Sequence, residues 1–202
     1  MMKKILQLIP AIALVLMASS CDSKSKLAKD IDGTWASSPE RLSDNVGNSS
    51  SIIRILEFDK LPDKNGGTLI MSGLISVNSA LPQGDAIDNP ISFTASGVAT
   101  ISGEWTVEDD DEITIFLDGS TMKIDVDPDG IVLDYNVLTG TSAPDTTTVK
   151  PVLAQMVKKA ISGGVETKFF NARKIDDIKI KDNMMSCEID DYDITFRRQN
   201  VD

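Results

Sequence analysis

A regular alternation of apolar and polar residues between positions 91 and 107 constrains the fold of this chain more than any other feature. The odd positions are Ile91, Phe93, Ala95, Gly97, Ala99, Ile101, Gly103, Trp105 and Val107, and every even position except Val98 is Ser, Thr or Glu. A period of two predicts a β-strand with one buried and one solvated face. At about 3.3 Å per residue a straight run would exceed about 50 Å, so we expect a bend or turn at Gly97.

The chain from residue 33 onward carries further strand signals. Short runs of β-branched and apolar residues are separated by Gly, Pro, Asn and Asp turns, which is typical of an all-β domain. We predict strands at 33–38, 51–59, 67–78, 91–108, 112–118, 120–126, 131–136, 175–181, 184–190 and 192–198, with long loops at 39–50, 80–90 and 137–147. The predicted fold class is therefore mainly β.

One segment has a helical pattern instead. Its apolar residues recur at spacings of three and one, and they are Val149, Val152, Leu153, Met156, Val157, Ala160 and Ile161. Thr148 suits the N-cap, and Gly163 with Gly164 predicts the end of the helix. We expect one amphipathic helix at about 149–162, either packed on the outside of the strands or lying as a lid over them.

The N-terminus is typical of an exported lipoprotein. Two lysines precede an apolar run that is shorter than the roughly 20 residues a bilayer span needs, and small residues then precede Cys21 as in a bacterial lipobox. The sequence predicts a signal peptide at 1–20, a lipidated tether at 21–30 with Cys21 as the attachment site, and one domain at 31–202. Ordinary cleavage after Ser20 is the alternative.

The charge of the chain excludes one class of partner. The net charge is −11, and removal of residues 1–20 takes away two lysines and no acid, which makes it −13. Such a surface repels phosphate backbones and anionic headgroups, so we expect no nucleic-acid binding. We expect the membrane to be reached through the N-terminal lipid, and we favour the outer membrane as its location.

Short motifs at both ends of the domain carry a resemblance to a known family. The stretch "DIDGTW" at the start and "ITFRR" at the end resemble the lipocalin-like proteins of the calycin group. Together with the lipobox, "SGEWTVEDDDEITIFLD" and "IDVDPDG", the chain looks most like the lipocalin-like lipoproteins of Bacteroidetes. The resemblance implies an antiparallel lipocalin-like β-barrel of about 8–10 strands with one helix.

The same resemblance implies a closed barrel end. In that family Gly-x-Trp opens the first strand, and the tryptophan plugs the barrel under an arginine from the last strand. The matching residues here are Gly33, Trp35 and either Arg198 or Arg197. Alternation favours Arg198, because Tyr192, Ile194, Phe196 and Arg198 share one face.

A lipocalin-like barrel implies two functions, both non-enzymatic. The first is binding of a small apolar or amphipathic ligand inside the barrel, and the candidate lining residues are Phe93, Ala95, Ala99, Trp105, Met122 and Ile124. The second is an envelope interaction, scaffold or inhibitor protein with a filled barrel, which works through its loops at 39–50 or 80–90. The small side chains along 91–107 favour the first.

Catalytic and metal chemistry find little support in the sequence. The chain has no histidine, which removes the commonest general base. Asp125, Asp127 and Asp129 match part of a calcium-loop pattern, but position twelve is Asn136 rather than glutamate and the flanks alternate as strands. We read the acidic run at 108–112 as a turn and Cys187 as a buried apolar residue. We predict no enzyme activity, no cofactor and no metal.

Overall fold

The computed structural model describes residues 23–45, 48–80, 92–134 and 146–199, which form ten antiparallel strands and two helices. The fold is mainly β, as predicted. Helix α1 spans 23–31. The strands are β1 (Gly33–Ser37), β2 (Glu40–Asn45), β3 (Asn48–Lys60), β4 (Gly66–Ala80), β5 (Ser92–Val107), β6 (Ile113–Val126), β7 (Val132–Asp134), β8 (Lys174–Lys181), β9 (Met184–Ile189) and β10 (Tyr192–Gln199). Helix α2 spans Thr146–Asn171. The predicted signal peptide and Cys21 lie outside the described residues.

The order of strand pairing returns to its starting point. Strands pair in the order β1-β10-β9-β8-β6-β5-β4-β3-β2, and β1 also pairs with β3. Eight strands therefore form a continuous path of neighbours that begins and ends at β1. Strand β2 lies beside β3 and short β7 lies beside the start of β5, both outside this path.

The alternation that predicts the long strands is present in their burial. On β4, Leu69, Met71 and Ile75 are buried, whereas the intervening Ile70 and Leu74 are nearly half exposed. The same alternation runs along β5. This buried side, which we call the inner face, holds the core of the molecule.

Strand β5 differs from the sequence expectation in one respect. No turn interrupts β5 at Gly97, because β5 continues through this residue and Gly97 pairs with both Ile75 and Val126. The irregularity lies in the neighbouring strand instead. Between Thr100 and Ser102 the register with β6 shifts, and the two strands predicted at 112–118 and 120–126 form one strand with a bulge.

The loop predicted at 39–50 is also wrong, because this segment forms β2 and the start of β3. Its sequence "PERLSDNVGNSS" is polar and holds few β-branched residues, so nothing in its local propensity marks a strand. Pairing with the long strand β3 supplies the hydrogen bonds that stabilise it. The loops predicted at 80–90 and 137–147 fall mostly outside the described residues.

Helix α2 is almost twice as long as predicted, and it is not the only helix. The predicted end at Gly163 and Gly164 is wrong, because the buried residues Leu153, Val157, Ile161, Val165 and Phe169 continue at a spacing of four across both glycines. Burial of this stripe outweighs the cost of about 1 kcal/mol that each glycine carries relative to alanine. Val152 and Met156, which the sequence places in the apolar stripe, are more than half exposed.

Helix α1 occupies most of the segment that the sequence predicts as a tether. Leu27, Ala28 and Ile31 are buried, at the one-turn spacing that a helix places on one face. Three apolar residues among polar ones are too few to predict a helix from periodicity alone. Their burial in the core holds α1 against the strands, whereas the sequence assigns these residues to a tether.

Candidate functional site

Trp35 and Arg198 lie directly opposite each other in the pairing of β1 with β10. The Trp35 side chain is fully buried, and the Arg198 Cζ atom lies 4.2 Å from the centroid of its ring. This is the distance at which a guanidinium is attracted by the electron-rich face of an indole. Arg197, the alternative that the sequence left open, is exposed on the other face of β10.

Helix α1 completes this end of the molecule. The indole Nε1 of Trp35 donates a 2.7 Å hydrogen bond to the carbonyl oxygen of Ile31. The guanidinium of Arg198 donates to the carbonyl oxygen of Asp32 at 2.5 Å and also to that of Asp30. The last carbonyls of a helix have no partner within the helix, and its C-terminus favours a cation. Arg198 therefore caps α1 as well as covering Trp35.

Gly33 is required by this arrangement. Its φ of +114° lies in a region that side chains rarely adopt, and a Cβ there would lie 2.9 Å from Nη1 of Arg198. Gly33 and Trp35 thus both lie against the guanidinium of Arg198. Sequence reasoning identifies all three but does not foresee α1, whose carbonyls are the acceptors.

Four of the six candidate ligand-lining residues lie on the inner face. Phe93, Ala95, Ala99 and Trp105 are all at most 6% exposed. The Trp105 ring meets Phe58 edge-on with centroids 5.3 Å apart, and its Nε1 donates to the carbonyl oxygen of Thr68. Trp105 is therefore fixed by its own contacts within the core.

Helix α2 covers the part of the inner face where small residues lie. A Cβ built on Gly97 would lie 3.7 Å from Cδ1 of Ile161, and one built on Gly73 would lie 3.3 Å from Cζ of Phe169. Both apolar side chains belong to the buried stripe of α2. Because these residues have small side chains, the helix packs close to the strands. Of the two positions expected for the helix, the one on the outside of the strands is wrong.

The other two candidates, Met122 and Ile124, lie in an open groove between β6 and α2 of about 850 Å³. Both are half-buried. The groove is lined by Gly119, Met122, Lys123, Ile124 and Asp125 from β6 and by Lys158, Ser162, Glu166 and Phe170 from α2. Phe170, the largest apolar residue of the groove, lies beyond the predicted helix end, so the sequence did not identify it.

The groove runs along the edge of β6. Four of its residues are consecutive in sequence, and consecutive residues of a strand point to opposite faces, so only an edge presents them together. Pairing of β6 with β8 is confined to Ile113 and Thr114. From Lys158 to Phe170 the helical wall is about 18 Å long, at 1.5 Å per residue.

Phe170 closes one end of the groove. A Cβ built on Gly119 would lie 3.6 Å from its Cζ atom, and the Arg173 Cζ atom lies 5.3 Å from its ring centroid. The ring is therefore held between β6 and a guanidinium. The groove joins apolar surface at Met122, Ile124 and Phe170 to two lysines and two carboxylates.

A buried ion pair lies on the opposite side of α2. Arg54 on the inner face of β3 is 1% exposed, and its Nε and Nη2 atoms donate to Oε1 and Oε2 of Glu40 at 2.7 and 3.0 Å. Lys168 of α2 donates to the same Oε2 at 3.2 Å. The sequence carries a signal for Arg54, because it interrupts the apolar series Ile52, Leu56 and Phe58 on one face of a strand. Glu40 fell within a predicted loop.

The remaining chemical candidates do not line the groove between β6 and α2. Cys187 is buried, and burial raises the pKa of its thiol to about 12, so the thiolate is scarce at neutral pH. In the acidic turn, Glu112 pairs with Lys174, whose pKa is raised by hydrogen bonds to Asp176 and Glu112. Over the described ranges, no three Cys, Asp or Glu side chains are grouped so as to hold a metal ion.

Comparison with protein-family models, with curated proteins and with solved structures found no match to this chain. Within the part of the chain that the structure describes, neither helix is long and apolar enough to cross a membrane. The function is therefore inferred from the geometry of the described residues.

Proposed function

We propose that this chain is a lipid-anchored protein of the cell envelope, with a lipocalin-like barrel that binds a small amphipathic ligand in the groove between β6 and α2. The path of pairings that returns to β1 supports a barrel, and Trp35 under Arg198 supports its closed end. Cys21 as the lipid attachment site follows from the lipobox, and the outer membrane is the location that we favour.

The groove itself is the observation that carries the binding proposal. Its volume of about 850 Å³ lies in the range of small-molecule sites, and its lining combines three apolar side chains with charged ones, as an amphipathic ligand requires. Met122, Ile124 and Phe170 contact the apolar part of the ligand. Lys123 and Lys158, both exposed, contact its polar end.

The sequence favours a ligand site in the barrel interior. Helix α2 covers the inner face there, so we place the proposed site in the groove instead. Ala95 and Ala99 are at most 2% exposed, and the neighbouring Gly97 contacts Ile161. A ligand at these residues would have to displace the helix. The groove needs no such displacement, because it opens to solvent beside α2.

Binding of a dansyl-labelled fatty acid tests the proposal. We expect its fluorescence to rise on binding and its affinity to fall roughly tenfold in Phe170→Ala, which removes the largest apolar contact of the groove. Phe116→Ala is the matched control, because Phe116 also lies on β6 but is 62% exposed and outside the groove. Equal affinity in both variants, with circular dichroism unchanged, would place the ligand elsewhere.

The anchor is tested separately. Metabolic labelling with a radioactive fatty acid should label the wild-type chain and not Cys21→Ala. Cell fractionation then locates the labelled protein, and protection from protease in intact cells would exclude display on the surface. Label retained by Cys21→Ala would refute lipidation at this residue.

A second candidate function is a non-enzymatic envelope interaction protein with a filled barrel. One observation favours it: Val152 and Met156 are 57% and 51% exposed and adjacent on α2. A pull-down from envelope extract with wild type and with Val152→Ser/Met156→Ser distinguishes the two. A partner lost in this variant, together with no binding of the dansyl probe, would favour the second function.

A further inference from the structure

The ion pair of Arg54 and Glu40 forms part of a second cavity. This cavity, of about 390 Å³, lies on the side of α2 away from the β6 groove. It is lined by Glu40, Arg41, Arg54, Thr167, Lys168, Asn171, Ile189, Asp190, Tyr192, Asp193 and Ile194. A charged residue that is 1% exposed and also lines a cavity is costly unless its hydrogen-bond donors are used.

Arg54 has more donors than its neighbours satisfy. A guanidinium carries five N–H groups, and Glu40 accepts from Nε and Nη2. Among the side chains that the structure describes, the hydrogen bonds of the guanidinium all go to Glu40, and none is made by Nη1. The Phe196 ring, 5.9 Å from Cζ, contacts the guanidinium but accepts no conventional hydrogen bond. Nη1 is therefore left without a hydrogen bond among these side chains.

The charges beside Arg54 also favour binding of an anion. The carboxylate of Glu40 faces two cations, Arg54 and Lys168, which leaves one unit of positive charge there. Arg41, Asp190 and Asp193 also line the cavity, and Asp190 accepts a hydrogen bond from Asn171. These two carboxylates disfavour a ligand with a second negative charge. Ile189 and Ile194 add apolar surface.

We propose that this cavity binds a small monocarboxylate with a short apolar chain. The carboxylate accepts hydrogen bonds from Nη1 of Arg54 and from Lys168, and the chain lies against Ile189 and Ile194. The site is separate from the β6 groove and does not depend on binding there.

Titration of 15N-labelled protein with sodium hexanoate tests the site through the Nε–H resonance of Arg54. We expect a saturable shift with hexanoate, an affinity about tenfold lower for the neutral hexanamide, and no shift with sodium chloride at matched ionic strength. The difference is expected because hydrogen bonds to ionised acceptors are roughly twice as strong as neutral ones. Equal affinities, or no shift over the millimolar range, would overturn the proposal.

Two variants and one control test the site without substituting Arg54, whose loss would destabilise the fold. Lys168→Met should weaken hexanoate binding at least about threefold through the lost cation, whereas Lys159→Met, an exposed lysine of the same helix outside the cavity, should leave it unchanged. Ile194→Trp should abolish binding by filling the cavity while Arg54 keeps its partner. Binding that survives Ile194→Trp, or that falls equally in both lysine variants, would contradict the assignment.

Discussion

Arg198 and Arg54 lie on inward-facing positions of β10 and β3, yet their surroundings differ. Arg198 covers the Trp35 ring and donates to two carbonyl oxygens at the end of α1, so its partners are neutral groups. Arg54 is more deeply buried, and among the described side chains its guanidinium donates hydrogen bonds to the carboxylate of Glu40 alone, through Nε and Nη2.

This difference indicates two roles for an arginine that is shielded from solvent. A half-buried arginine that caps a helix and covers an aromatic ring needs no counter-charge, and its role is structural. A fully buried arginine needs a carboxylate to offset the cost of desolvation, and any remaining donor is available to a ligand. Substitutions at the two arginines and their partners test this contrast, and the expected effects decrease in the order given.

The largest loss of stability is expected from Trp35→Ala. This change deletes a fully buried indole and its hydrogen bond to Ile31, and it uncovers the guanidinium of Arg198. We expect the free energy of unfolding to fall by about 3–5 kcal/mol. Urea denaturation measures this, and a loss below about 1 kcal/mol would show that the ring does not close this end of the core.

Arg54→Met should destabilise by about 3 kcal/mol, because Glu40 then stays partly buried with Lys168 as its one cation. The double variant Arg54→Met/Glu40→Leu should recover most of this loss, since the lone carboxylate is also removed. Urea denaturation of both variants provides the test. A double variant as unstable as the single one would show that packing, not charge, sets the cost.

Arg198→Ala should destabilise by about 1–2 kcal/mol through the lost ring contact and the lost cap of α1. Combined with Trp35→Ala, the loss should be smaller than the sum of the two single losses, because groups in contact couple. Arg197→Ala, on the exposed face of the same strand, is the control and should stay within about 0.5 kcal/mol. Strict additivity would contradict the proposed pairing.

The smallest effect, of opposite sign, is expected at Gly163. This glycine lies inside α2, and an added Cβ would meet no atom within 4 Å. Gly163→Ala should therefore raise the free energy of unfolding by about 0.5–1 kcal/mol. Gly33→Ala should instead destabilise, because its φ is positive and Arg198 lies close. A destabilising Gly163→Ala would show that the helix needs this glycine.

The parts of the structure that the sequence predicts are those with a local cause. The period of two fixes the inner face of β4 and β5, and alternation along β10 selects Arg198 over Arg197. Where tertiary contacts determine the secondary structure, the sequence does not predict it. The apolar stripe of α2 continues through Gly164 because its residues pack on the inner face of the sheet. Strand β2 forms because it pairs with β3.

The candidate site follows the same rule. Met122 and Ile124 are identified by alternation, but Phe170 lines the groove with them only because α2 continues past its predicted end. Glu40 and Arg54 are 14 residues apart and meet through the pairing of β2 with β3. No spacing rule in the sequence indicates that contact.

The groove between β6 and α2 is tested most directly by native mass spectrometry of protein purified from its own envelope. The account predicts a small molecule bound to the folded wild-type chain and to Phe116→Ala, and absent from Phe170→Ala. The same molecule bound equally to all three proteins, or bound to none of them, would contradict the claim that this groove holds a ligand.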